Sequence, residues 1–243
     1  MNRSRPQFKR IVLKLSGEAL MGDLSHGISP DVIESVAAEI CSLNALRVQV
    51  LVVVGGGNIF RGLRSDRYGF GRVAGDHMGM LATMINSIAL GQAISRAGHA
   101  SRVMSAFETG QIAPPYSAEA AEAALYRDEI IIVGGGTGNP FFTTDTAAVL
   151  RAAEIGADAV LKATKVDGVY DDDPVTNPSA GRFDSLTYRE AIRRGLKIMD
   201  MTAISLAMDR GIPIIVFDLN SKGSMAGIVA GKSIGSLITG DER

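Results

Sequence analysis

The stretch that most limits what this chain can become is residues 130–145, IIIVGGGTGNPFFTTD. Apolar residues pass into three glycines, then into Thr137, Gly138, Asn139 and Pro140, then through Phe141 and Phe142 to Thr143, Thr144 and Asp145 ahead of an apolar-periodic segment. The pattern predicts a buried strand, a loop with few side chains and the start of a helix. Such a loop suits an anion. Glycines let backbone N–H groups come close, the hydroxyls of Thr137, Thr143 and Thr144 can donate, and the helix start carries partial positive charge. Taken alone, the stretch reads equally well as a tight turn followed by an N-cap.

The design recurs. Residues 11–17, IVLKLSG, and 50–62, VLVVVGGGNIFRG, are also apolar strands that end in small residues, and each carries one cation, Lys14 and Arg61. Three such loops would gather at the carboxyl edge of one parallel sheet, where open α/β folds take their ligands. One polyanion, or two phosphorylated ligands, is the natural occupant.

The remaining pattern predicts a helix over 31–44 with Ser29 and Pro30 at its start, a strand over 48–54, a long helix over 76–97, and a strand over 101–105. Helices over 117–126 and 144–156 and a strand over 159–163 follow. The chain closes with helices over 187–195 and 201–210, a strand over 213–218, a short helix over 225–230 and a strand over 236–239. This alternation argues an α/β fold, a three-layer αβα sandwich around a mostly parallel sheet. A single domain over 1–243 is expected, with 1–9 as a loose arm. The helix over 76–97 is apolar nearly all round, so either a subunit interface or a central place in the monomer must cover it. Residues 164–178, TKVDGVYDDDPVTNP, are dense in turn formers. Asp167-Gly168 suggests a hairpin there, and Asp171, Asp172 and Asp173 read on their own as a solvated loop.

Several classes fall away. With 25 basic and 26 acidic residues spread evenly, no basic face for nucleic acid exists, so phosphate binding must be local. The absence of Trp removes a stacking platform for single strands. Cys41, the only cysteine, allows neither a disulfide framework nor a CxxC metal site and lies in a helical apolar stripe. His26, His77 and His99 are too scattered to form a ligand set. The N-terminus has no apolar leader and no run is read as a membrane span, so a soluble cytoplasmic protein is expected. Neither glycine loop fits G-x-G-x-x-G, because Asn139 and Phe60 stand where the third glycine should be. Residues 226–233, AGIVAGKS, lie one residue from a P-loop but follow a helical pattern instead of a strand.

Two glycine-rich loops with separate cations, plus an acidic turn, fit transfer of a phosphoryl group between two bound ligands. Positioning and neutralisation of the migrating charge carry most of that rate. Lys14 and Arg61 would hold the phosphates from opposite loops. Mg²⁺ would be held mainly by nucleotide oxygens and water, as a hard ion prefers, with no metal site of protein ligands.

At this point the residues match a family. KLSGEAL (14–20), VGGGNIFRG (54–62), GDHMGMLATMIN (75–86), GTGNPFFTTD (136–145), LKATKVDGVYDDDP (161–174) and IMDMTAISLAMD (198–209) together resemble the bacterial UMP kinases, a branch of the amino acid kinase superfamily. The resemblance covers nearly the whole chain. It implies transfer of a phosphoryl group from ATP to UMP. It implies further that Lys14, Leu15, Ser16, Gly17, Gly57 and Arg61 line the ATP phosphate path, with Thr164, Tyr170 and Asp173 at the ATP nucleoside. By the same resemblance Gly56, Asp76 and Thr137, Gly138, Asn139, Pro140, Phe141, Phe142, Thr143 and Thr144 hold UMP. Lys162 would contact the β-phosphate, and Asp145 and Asp200 would orient lysines or metal-bound water. Members of this type form homohexamers regulated by GTP and UTP. Residues 22–27, GDLSHG, match the position of the GTP-response region but diverge from its typical form. The rival readings are a superfamily kinase acting on a carboxylate or carbamate, and a non-catalytic oxyanion-binding relative.

Overall fold

The structure, a computed structural model, describes residues 6–60 and 69–240. Arg61, and with it Arg64 and Arg67, lies outside the described residues, as do the first five residues of the expected arm. The chain order is β1 (Arg10–Leu15), α1 (Pro30–Ala45), β2 (Gln49–Val54), α2 (Arg72–Arg96), β3 (Ser101–Ser105), α3 (Ala118–Leu125), β4 (Ile130–Gly134), α4 (Thr144–Glu154) and β5 (Ala159–Thr164). It continues with β6 (Val169–Tyr170), β7 (Arg182–Phe183), β8 (Ser185–Thr187), α5 (Tyr188–Arg193), α6 (Met201–Arg210), β9 (Ile214–Asp218), α7 (Ser224–Val229) and β10 (Ser236–Thr239).

Eight strands form one sheet in the order β3-β4-β2-β1-β5-β9-β10-β8, parallel throughout except where β10 runs against β9. The nearly all-apolar β1, β2 and β4 sit inside it, as strands covered on both faces must. Alternation sorts their side chains cleanly. Ile11, Leu13 and Leu15 of β1 pack toward α1, α2 and α7, whereas Val12 packs toward α3, α4, α5 and α6. The result is the expected three-layer sandwich. Cys41 lies buried in the first of these cores, and burial pushes its thiol above the ordinary value.

Two local expectations change. The hairpin placed at Asp167-Gly168 lies instead between β6 and β7, an antiparallel pair. Residues 171–181 form its connection, closed where Asp171 N donates to the Gly181 carbonyl (3.0 Å) and Asp171 Oδ1 accepts from Gly181 N (2.7 Å). Ser29 does cap α1 by position, with Pro30 in its first turn, but its side chain makes no capping bond. The near P-loop is helix α7 followed by a turn, the reverse of strand, loop and helix.

Helix α2 departs most. It starts at Arg72, and its buried side includes the polar Thr83, Asn86 and Ser87, while Leu81, Ile85 and Ile88 are exposed. Contrary to the sequence expectation, this helix is long and apolar enough to cross a membrane by length and composition. About half of its apolar window is buried inside the fold (56%), as in a core helix.

The turn into β10 depends on Gly235, which has φ 82° and where a Cβ would lie 2.1 Å from the Val216 carbonyl oxygen. Gly235→Ala should therefore destabilise the protein by more than the roughly 1–2 kcal/mol of the left-handed backbone alone. Urea unfolding checks this, and an unchanged midpoint would contradict the packing described.

Candidate active site

Lys14 ends the alternation of β1 on the α4 side, where the pattern calls for an apolar residue. In the register of β1 and β5 it stands directly beside Lys162. Two ammonium groups on one face of adjacent strands need a counter-charge, and the first turn of α4 supplies it. Asp145 Oδ1 lies 2.7 Å from Lys14 Nζ, and Asp145 Oδ2 accepts a hydrogen bond from Lys162 Nζ at 2.8 Å. The Lys14 contact is an ion pair without hydrogen-bond alignment. Lys162 also donates to the Ile198 carbonyl.

Burial by itself would push Asp145 up, but the two lysines overcome it and hold the carboxyl below its ordinary value. Burial pulls Lys162 down, with the charge of Lys14 adding to the effect and Asp145 offsetting only part of it. Both directions follow from one acid shared by two buried cations.

The helix starts around this triad are tied together. Thr143 Oγ1 caps α4 by accepting from Asp145 N (3.0 Å) and Thr146 N (3.3 Å), and it donates to Asp200. Asp200 also accepts from Thr146 Oγ1 (2.9 Å) and caps α6 through Ala203 N (3.0 Å). The capping Thr and Asp thus place two positively polarised helix ends beside the lysines.

Two cavities open on either side. The first, about 620 Å³, is lined by Lys14, Gly56, Gly57, Asp76, Thr137, Asn139, Phe142, Thr143, Thr144 and Asp145 among the expected residues. The second, about 420 Å³, takes Lys162, Thr164, Tyr170 and Asp173. The Lys14–Asp145–Lys162 bridge joins them, since Lys14 and Asp145 line one and Lys162 the other. Gly17 packs beneath the first cavity, where a Cβ would lie 2.5 Å from both Asn58 Oδ1 and the Gly55 carbonyl oxygen. Gly135, Gly136 and Gly138 all have positive φ, which turns the β4–α4 loop sharply enough to bring its backbone to the cavity.

Other expected residues stand back. Leu15 has its side chain in the core, so only its backbone could face a ligand. Ser16, Gly17, Gly138, Pro140, Phe141 and Asp200 line neither cavity. Asp76 is engaged already, by Arg72 (2.9 Å) and by Phe141 N (2.8 Å). Met80 and Thr83 line the first cavity without having been expected there. They follow Asp76 at i+4 and i+7, so one helix face signals all three. Arg72, Phe60 and Glu18 also escaped sequence reasoning and line the same cavity.

This sandwich, with glycine loops and buried cations at the carboxyl edge of a parallel sheet, defines a class of phosphoryl-handling protein. The chain belongs to the amino acid kinase family, whose model matches residues 9–218. Within it the chain stands with the uridylate kinases. The "Uridylate kinase" proteins of Legionella pneumophila strains Paris and Lens are 51% identical over 240 residues, 98% of this chain and 97% of theirs. Among solved structures, the UMP kinase of Bacillus anthracis is similar with a TM-score of 0.94 and 39% identity, covering 98% of each chain. The UMP kinase of Ureaplasma parvum follows at 0.89 and 33%, over 95% of this chain and 98% of its own.

Asp145 has a consequence for stability. Its depressed value in the folded state means its stabilising contribution is complete above the ordinary carboxylate value, about 4, and is lost as pH falls through the lower folded value. Asp145→Asn leaves two buried ammonium groups unbridged and should be clearly less stable at pH 7. The gap to the wild type should shrink on acidification below about pH 4. Urea midpoints at the two pH values measure it, and a gap that widens in acid would reverse the assignment.

Proposed function

We propose that this chain transfers the γ-phosphoryl group of ATP to UMP, giving ADP and UDP, in the pyrimidine nucleotide supply that leads to CTP. The two cavities meeting at the Lys14–Asp145–Lys162 bridge carry the reading, because a group passing between two nucleotides must cross such a cationic junction. A single domain performs the reaction.

UMP occupies the first cavity. Asp76 accepts from the ribose hydroxyls, and Gly56 and the loop 137–144 hold the phosphate and the uracil edge. ATP lies with its nucleoside in the second cavity, at Thr164, Tyr170 and Asp173, and its phosphates extend toward the first cavity at Gly57, past the loop of Ser16 and Gly17. A UMP phosphate oxygen attacks the γ-phosphorus and ADP departs. Lys14 and Arg61 stabilise the migrating group, and Lys162 stabilises the charge that grows on the β-phosphate. Asp145 holds both lysines in place, and Asp200 ties the two helix starts behind them. No protein nucleophile takes part.

Mg²⁺ fits as an ion carried on the nucleotide. Among the described residues no cluster of three or more His, Cys, Asp or Glu could hold it, and the nearby carboxylates of Asp145 and Asp200 are already engaged. When bound, it neutralises phosphate charge. The exposed Leu81, Ile85 and Ile88 of α2 support assembly, read here as a homohexamer with GTP and UTP as effectors. The place of work is the cytoplasm.

A kinase for a carboxylate would need a cationic clamp where uridine is placed. The described cations there are Lys14 and Arg72, and Arg72 is paired with Asp76. Purified protein with Mg-ATP should release ADP with UMP and not with aspartate or acetylglutamate; no UMP-dependent ADP would end this reading. Asp76→Asn should raise the KM for UMP by one to two orders of magnitude, about 1.5–3 kcal/mol for a charged hydrogen bond, with the KM for ATP little changed. A change in the ATP value alone would exchange the two sites. Because Lys162 is held below the ordinary lysine value, turnover should fall on the alkaline side at a pH under about 10.4. Lys162→Arg should remove that limb, and its persistence would place the titration elsewhere.

A further inference from the structure

Beneath the glycine loops lies a buried pair of amide side chains that lines neither cavity. Asn58, just after the glycines that follow β2, and Asn86 of α2 are 3% and 0% exposed. Their side chains bond to each other twice: Asn58 Nδ2 donates to Asn86 Oδ1 (3.0 Å) and Asn86 Nδ2 to Asn58 Oδ1 (2.7 Å). The second amide hydrogen of Asn86 goes to the Gly55 carbonyl (2.7 Å), and that of Asn58 to the Gly27 carbonyl (2.8 Å). Gly27 N returns a bond to the Asn58 carbonyl (2.9 Å). Every side-chain donor of the pair is thus used on backbone or on its twin. Gly17 rests on the same pair, since a Cβ there would meet Asn58 Oδ1 and the Gly55 carbonyl oxygen. One turn back along α2, Thr83 Oγ1 accepts from Gly135 N (2.7 Å) in the third loop.

A glycine loop has no side chains through which packing could hold it, so hydrogen bonds to its backbone are the main handle on its direction. Stability alone does not call for buried amides here, because apolar groups of similar shape can serve a core as well. We propose that Asn86, with Asn58, is a positioning residue for phosphoryl transfer. The pair aims the Gly55 carbonyl inward, holds Gly56 and Gly57 at the first cavity, and sets them against Gly17 of the loop after β1. It contacts no ligand and acts through the loops. The inference rests on the transfer reaction proposed above.

The test compares Asn86→Ser and Asn58→Ser with the wild type in Mg-ATP and UMP, alongside Ser87→Ala. The last removes a similarly buried bond, from Ser87 Oγ to the Thr83 carbonyl, that reaches no loop. Expected are a kcat lower by about 10- to 100-fold in both Asn variants, as for a small displacement near reacting groups, and a near-normal kcat in Ser87→Ala. The KM for UMP should rise by less than kcat falls, because Gly56 alone among its proposed contacts depends on the pair while Asp76 and residues 137–144 are held by other bonds, and unfolding should remain cooperative. A kcat within about twofold of the wild type, on the same criterion of displacement, overturns the proposal. So does a lower kcat and thermal midpoint together with a higher KM for both substrates in all three variants, or failure of both Asn variants to fold, either of which makes the pair a stability element only. A wild type that does not turn over UMP removes the transfer reading, and this inference with it.

Discussion

Everything at the carboxyl edge of this sheet depends on one carboxylate placed between two lysines of neighbouring strands. Lys14 and Lys162 are in register on β1 and β5, so their charges would repel across a strand spacing of about 4.8 Å in a poorly screened interior. Asp145 brings α4 onto the sheet at that point and makes the cluster tolerable. The triad keeps a net positive charge, and that charge lies between the two cavities. A strand pair that would be awkward for a core thereby becomes a junction for phosphates.

The topology explains why the junction is where it is. Parallel strands deliver β1, β2, β4 and β5 to the same edge with their following loops side by side. The loops after β1, β2 and β4 bring glycines, and that after β5 leads to the acidic connection near β6. Helix starts at α4 and α6 are drawn in by Thr143 and Asp200, which bond to each other as well as to the backbone they cap. Caps that elsewhere only end a helix here also join two helices beneath the lysines.

Helix α2 has the opposite logic from an ordinary amphipathic helix. Polar Thr83 and Asn86 are buried where loop backbone needs partners, and apolar Leu81, Ile85 and Ile88 are exposed. One side of the helix thus serves the glycine loops, while the other offers apolar surface outward. Its first turns add Asp76, which holds the Phe141 amide and lines the first cavity. Binding loops and outer surface therefore share a single rigid element.

The sequence alone determined the sandwich, because strand runs such as VLVVV and the glycine punctuation after them allow little else, and strand β1 (Arg10–Leu15) takes in the apolar run of IVLKLSG. It also marked Lys14 and the loop 137–144, since cations and glycines at strand ends have few structural uses, and the family resemblance added Asp76. Arg61, marked in the same way, lies outside the described residues. Tertiary structure decided the rest. The pairing of Lys14 with Lys162 joins residues far apart in the chain and depends on strand register, which periodicity does not give. The β6–β7 pair overrode the Asp-Gly signal because Asp171 bonds to Gly181 through both its backbone N–H and its carboxylate, which closes a longer loop. The Asn58–Asn86 pair was invisible for the same reason: a buried amide looks like an exposed one until the backbone that needs it has been folded against it.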